Sequence, residues 1–263
     1  MTCVYKYYPP KDYNFDAIKD GYFFLCKAKH QNDPFELSFS LFSELTIGKG
    51  IASKKIEPLK EYGICSFTTA YDNKRMWAMY ADNYSGFVVE FDDCYLEDYP
   101  QYFIDNGKLP VPKLTYEKVE YIDSLNVLES PDYRYSLNYF GNQINDKEVK
   151  LSDDPHEMEF LFIHLCRIQE RKSWQQDDEI RLISGKDMYE KKDICEFNGV
   201  KYDKEDDGFK VPFDRRAVKR IICGHNMSGE NIKRLIEIAS SYNVKLFQIV
   251  PATVPFKLEL TEI

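Results

Sequence analysis

Short aromatic and apolar runs that come in clusters, rather than in strict alternation with helices, constrain this chain most. CVYKYY (3–8), YFFLCKA (22–28), GICSFTT (63–69), GFVVEFDD (86–93), KLTYEKVEYI (113–122), EIRLI (179–183), KRIICG (219–224), VKLFQIV (244–250) and FKLELTEI (256–263) all read as strands. Rings and β-branched side chains suit a pleated, half-buried surface. Helical signals are fewer. Asn14 can cap a first helix and Gly21 end it. Asp72 or Asn73 can cap a second, with Met76, Trp77, Tyr80 and Ala81 on one face. Asp154 and Pro155 open a third, striped by Met158, Leu161, Phe162, Leu165 and Ile168, and SGENIKRLIEIASSY (228–242) is the last. Clustered strands predict an α+β fold, a mixed, mostly antiparallel sheet with flanking helices. A single domain over 1–263 is expected, with the polar, Tyr-rich stretch at about 95–150 as an insertion or lid.

Composition narrows the partners. The 44 acidic residues outnumber the 35 basic ones, a formal charge of −9, which repels phosphate backbones and disfavours strong nonspecific nucleic-acid binding. Seven cysteines, at 3, 26, 65, 94, 166, 195 and 223, include no CxxC pair, so neither a disulfide framework nor a zinc site is indicated. MTCVYKYYPP has no basic-then-apolar leader and no apolar run reaches roughly 18 residues. The expectation is a soluble cytoplasmic protein with no membrane partner. GxSxG, GxxxxGK[ST], HExxH and GxGxxG are all missing, and the four His (30, 156, 164 and 225) do not suggest a metal centre.

What remains is polar and aromatic chemistry at strand ends. In KHQNDPFE (29–36) a turn accounts for Pro34 and for one of Asn32 and Asp33, but it needs neither His30 nor both polar side chains. We therefore expect a binding loop, with Asn32 and Asp33 on a ligand's polar edge and His30 beside them. Lys6, Tyr7, Ser66, Trp77, Tyr80, Glu179 and Arg181 complete the candidates. Trp77 and Tyr80, at helical spacing with Met76, read first as an ordinary core stripe and second as site residues. Glu179 and Arg181 fall on one face of their strand and read equally as an exposed ion pair worth about 0–1 kcal/mol.

YKY near the start, NDPFE, CSFT followed by MWAMYADNYSGFVVEF, W followed by DDEIRLI, and KRIICG with its helix and strand resemble domain-of-unknown-function family 2971 over nearly the whole chain. More loosely, the chain resembles the three-part NAD site of ADP-ribosyltransferases. That resemblance implies Lys6 or Tyr7 in the first part, Ser66, Trp77 and Tyr80 in the second, and Glu179 in the third. It implies NAD as substrate without a metal, Glu179 and Tyr80 as catalytic residues, and Arg181 holding a pyrophosphate oxygen or Glu179 itself. The function expected is ADP-ribosyl transfer to a macromolecular acceptor, or NAD hydrolysis, in a bacterial toxin or anti-phage defence effector with a neutralising protein as a further partner. Two alternatives stay open: a metal-dependent nuclease using Asp33, Glu36, Glu179 and Lys6, and a noncatalytic nucleotide- or peptide-binding module. The NAD reading requires Tyr7, Asn32, Tyr80 and Glu179 to line one cleft.

Overall fold

In the computed structural model the described residues are 2–31, 61–97, 114–122, 143–144, 149–150, 154, 162–163, 165–184, 196–197, 200–201, 204–205, 207–254 and 257–263. Strand β1 (Cys3–Tyr8) leads into helix α1 (Asp12–Asp20), which Gly21 ends at φ 83°, a left-handed conformation that suits a residue without Cβ. Asn14 is not the cap. It sits inside α1, and its amide donates to Pro9 O at 2.9 Å, fixing the strand-to-helix corner. β2 (Tyr22–Lys27), β3 (Gly63–Thr68), α2 (Lys74–Met79) and β4 (Phe87–Asp92) follow the sequence expectations. Asn73 caps α2 by accepting from the Arg75 and Met76 N–H groups.

β5 (Leu114–Lys118) falls inside the stretch read as an insertion, yet it pairs along its length with β6 (Glu179–Ser184), so this part of the stretch belongs to the sheet. Ile168 opens a short strand, Ile168–Glu170, instead of completing a helical stripe. Residues 155–161 of that expected helix lie outside the described ones. β7 (Gly208–Pro212), β8 (Val218–Cys223), α3 (Gly229–Tyr242), β9 (Lys245–Pro251) and β10 (Leu258–Glu262) complete the chain.

Among the described residues eleven strands form one sheet, in the order Lys204–Glu205, β7, β2, β3, β1, β4, β8, β9, β10, with β6 and β5 branching from β3. Within it only β8 and β9 run parallel, joined through α3, so the architecture is α+β. β3 makes the branch. One edge pairs with β6 from Ile64 to Thr68, while the other is shared: Ile64 faces Cys26 of β2, and Thr68 faces Tyr5 of β1. Between those points, on this second edge, Cys65, Ser66 and Phe67 have no described strand opposite, so β1 and β2 diverge and the sheet forks.

Each face carries its own core. Phe23, Phe67, Phe91 and Phe213 meet ring to ring on one side, beneath Phe15 and Ile18 of α1 and Leu235 and Ile238 of α3. Tyr5, Tyr7, Val88, Ile222 and Ile249 pack on the other, against Trp77 of α2. Among the described residues no helix is long and apolar enough to cross a membrane.

The strand ends at β1, β4 and β8 approach too closely for side chains. Gly224 N–H donates to Gly86 O at 2.9 Å, and a Cβ on Gly224 would stand 1.9 Å from Tyr84 O, one on Gly86 2.1 Å from Tyr8 O. Gly224→Ala should therefore cost about 1–3 kcal/mol or more through backbone displacement. Urea unfolding should show a lower midpoint at an unchanged slope, and a midpoint equal to the parent's would show that these strand ends separate without penalty.

Candidate functional site

The register of three strands assembles a cleft on the α2 side of the sheet. Side chains alternate across a strand, so Tyr5 and Tyr7 of β1, Ser66 of β3, and Glu179 and Arg181 of β6 face the same way. Pairing then aligns them: Tyr5 and Glu179 both stand opposite Thr68, and Arg181 stands opposite Ser66. α2 closes the side with Met76 and, just past its end, Tyr80. These residues, with Lys6, Gln31, Phe67, Gln169, Trp174 and Asp177, line a cavity of ≈ 120 Å³. For scale, a cavity of about 150 Å³ holds a benzene ring.

Arg181 is the electrostatic centre. It is only 2% exposed. Its Nε and Nη2 donate to the two Glu179 oxygens at 2.8 and 3.1 Å, and its Nη1 donates to Cys166 O at 2.6 Å. The expectation of an exposed ion pair is corrected here, since the two side chains are 3% and 12% exposed. The backbone holds Glu179 as well, its N–H donating to the Tyr121 hydroxyl at 2.7 Å.

Asp177 is the residue that sequence reasoning missed. It is 4% exposed, and burial, opposed by the Arg75 guanidinium and aided by Glu179, raises its carboxyl to about 6. Its Oδ1 accepts no hydrogen bond and stands 3.3 Å from Arg75 Nη1. The segment carrying it is stitched to the β3–α2 connection. Thr68 Oγ1 donates to Asp177 O at 2.7 Å, Asn73 Nδ2 to Gln176 O at 2.6 Å, and Arg75 Nη1 to Ser173 O at 2.6 Å. Asp178, left-handed at φ 41° and bonded to Thr69, turns the chain into β6.

The other expected residues separate into two groups. Tyr7 and Tyr80 line the cleft; burial raises both phenols, that of Tyr80 to about 12, so each keeps its proton near neutral pH. Tyr7 donates to Ala70 O at 2.9 Å. Lys6 and Ser66 line it too, joined by a bond from Lys6 Nζ to Ser66 O at 3.1 Å. Trp77 is 0% exposed, stacks at 5.5 Å on Tyr84, and donates to Tyr71 O at 2.7 Å, a packing role. His30 lies outside the cavity lining, with Nε2 3.4 Å from Asp207 Oδ1. Asn32, Asp33 and Glu36 lie outside the described residues, where adjacent Gln31 does line the cavity. No three His, Cys, Asp or Glu among the described residues are grouped to hold a metal ion.

No protein family, no curated protein and no solved structure matches this chain.

Glu179→Gln should lower stability by about 3–5 kcal/mol, because it leaves a buried guanidinium without its anion. Denaturant titration at neutral pH measures this, and a loss under 1 kcal/mol would return the pair to surface rank. Asp177 has the opposite sign. With a folded value of about 6 against 3.8 unfolded, its contribution is fully present below about pH 4 and is lost as pH rises through 6. Asp177→Asn should accordingly melt above the parent at pH 8, and the advantage should shrink below pH 4. A variant melting below the parent at pH 8 would show that the pairing with Arg75 outweighs burial.

Proposed function

We propose that the cleft is the active site of an NAD-using, ADP-ribosyltransferase-like enzyme that breaks the nicotinamide–ribose bond and passes the ADP-ribosyl group to water or a macromolecular acceptor. One observation carries the reading: Asp177 and Glu179 line a single ring-sized cavity walled by Tyr5, Tyr7, Tyr80 and Trp174. Aromatic faces suit a flat heteroaromatic ring. A carboxylate held in fixed orientation suits a developing cation, because it stabilises charge without having to reorganise.

The chemistry divides between the two acids. As the C1′–N bond lengthens, its electron pair returns to the nicotinamide nitrogen and neutralises the pyridinium, so the leaving group needs no proton. The ribose becomes oxocarbenium-like, and Glu179, anchored by Arg181, supplies the opposing charge. Asp177, with its value near 6, is largely ionised at pH 7 yet close enough to neutrality to take a proton, which suits a general base for the attacking hydroxyl. Water or an acceptor hydroxyl then bonds to C1′ as its proton passes to Asp177. A role as a bacterial toxin or anti-phage effector with a neutralising partner, and the likeness to domain-of-unknown-function family 2971, belong to the same proposal.

A second reading has one observation in its favour. Both oxygens of Glu179 are already engaged by Arg181, an arrangement that equally serves a rigid ring-binding module without turnover.

The purified protein incubated with NAD should release nicotinamide, and Asp177→Asn should slow release by about 10²-fold or more, the usual range for a lost general base. The acid limb of the parent's kcat/KM profile should turn near pH 6. NAD binding without release selects the binding module, and neither binding nor release overturns both readings.

A further inference from the structure

We propose that Lys6 is the anchor for the anionic linker of a two-part ligand, whose ring occupies the small cavity while its other part lies in an adjoining groove. The proposal deepens the NAD reading and depends on it for the choice of ligand, a dinucleotide diphosphate. The groove encloses ≈ 750 Å³ and runs between the start of α1 and β2, along the fork of the sheet, a size within the usual range of about 300–1,000 Å³ for small-molecule sites. It shares Lys6, Tyr7, Gln31, Ser66 and Tyr80 with the small cavity, so these five residues form the neck between the two.

Lys6 is the one cation among those five. Its Nζ donates to Ser66 O at 3.1 Å and stands 5.5 Å from the ring centres of Tyr8 and Phe67, and no carboxylate among the described residues forms an ion pair with it. An ammonium has three N–H donors, and a half-buried one with no carboxylate partner among the described residues gains from a ligand that supplies the opposite charge. The neighbouring charges order the ligand. In the cavity Arg181 and Glu179 offset one another and Asp177 stands 3.3 Å from Arg75 Nη1, so that end offers two carboxylates and no uncommitted cation, which suits a pyridinium better than a phosphate. The groove beyond the neck carries Asp207 and Lys210, of opposite sign. Carboxylates without a spare cation at the floor and a cation at the neck suit a cationic ring followed by a diphosphate.

Titration calorimetry with ADP-ribose tests this apart from turnover, because ADP-ribose keeps the diphosphate and has no nicotinamide bond to break. The parent should bind it with an affinity that falls as salt rises. Lys6→Met should bind at least tenfold more weakly, Lys6→Arg within a fewfold of the parent, and adenosine equally to the parent and to Lys6→Met. Equal ADP-ribose affinity in Lys6→Met, or no ADP-ribose binding by the parent, overturns the proposal. So does a matching loss for adenosine, which would mark a collapsed groove. Lys6-dependent binding of ADP-ribose in a protein that releases no nicotinamide from NAD would end the enzymatic reading and leave the anchor standing.

Discussion

A β-strand has two edges, and β3 must serve three partners with them. β6 takes one edge entirely, and β1 and β2 each take an end of the other. The consequence is a stretch, Cys65–Phe67, that pairs with β6 on one edge and faces no described strand on the other, where a backbone group turned to that edge must find its partner elsewhere. Lys6 answers part of that need through Ser66 O. A fork also opens space that a continuous ladder would fill, and both cavities are lined by residues from its margins.

The second organising demand is the Arg181 guanidinium, whose planar set of donors must be matched once it leaves water. Glu179 supplies two acceptors and Cys166 O a third. One side chain thus links β6 to the segment leading into Gln169, Trp174 and Asp177, and that segment is tied in turn to the β3–α2 connection through Thr68, Asn73 and Arg75. Stability and preorganisation coincide here, except at Asp177, whose raised carboxyl marks a residue kept at a cost to the fold.

Much of this was readable in the residues. Alternation placed Glu179 and Arg181 on one face, the Asn73 cap and the apolar spacing gave α2, and Gly21 ended α1 because a left-handed residue was needed there. The rest depended on contacts distant in sequence. Arg181 was read as exposed because EIRLI alternates as a half-buried strand would, and nothing local reveals that Cys166 and Tyr121 cover that face. Asp177 sits in the polar run WQQDD and looks solvated; what buries it is a left-handed Asp178 and a set of bonds to residues about a hundred positions earlier. Trp77 carried no signal separating a ligand-facing ring from a packed one, and Tyr84, which covers it, lies in a turn with three consecutive positive-φ residues.

The cleft draws its walls from Tyr5, Ser66 and Glu179, so it has no local precursor in the chain. During synthesis at about 5–20 residues per second, roughly nine to thirty-five seconds separate the making of its first wall from its last. Throughout that interval β1 and β3 can exist without β6, and the carboxylates are absent. A cleft of this kind is therefore completed late, by the strand that brings its acidic wall to two strands made long before it.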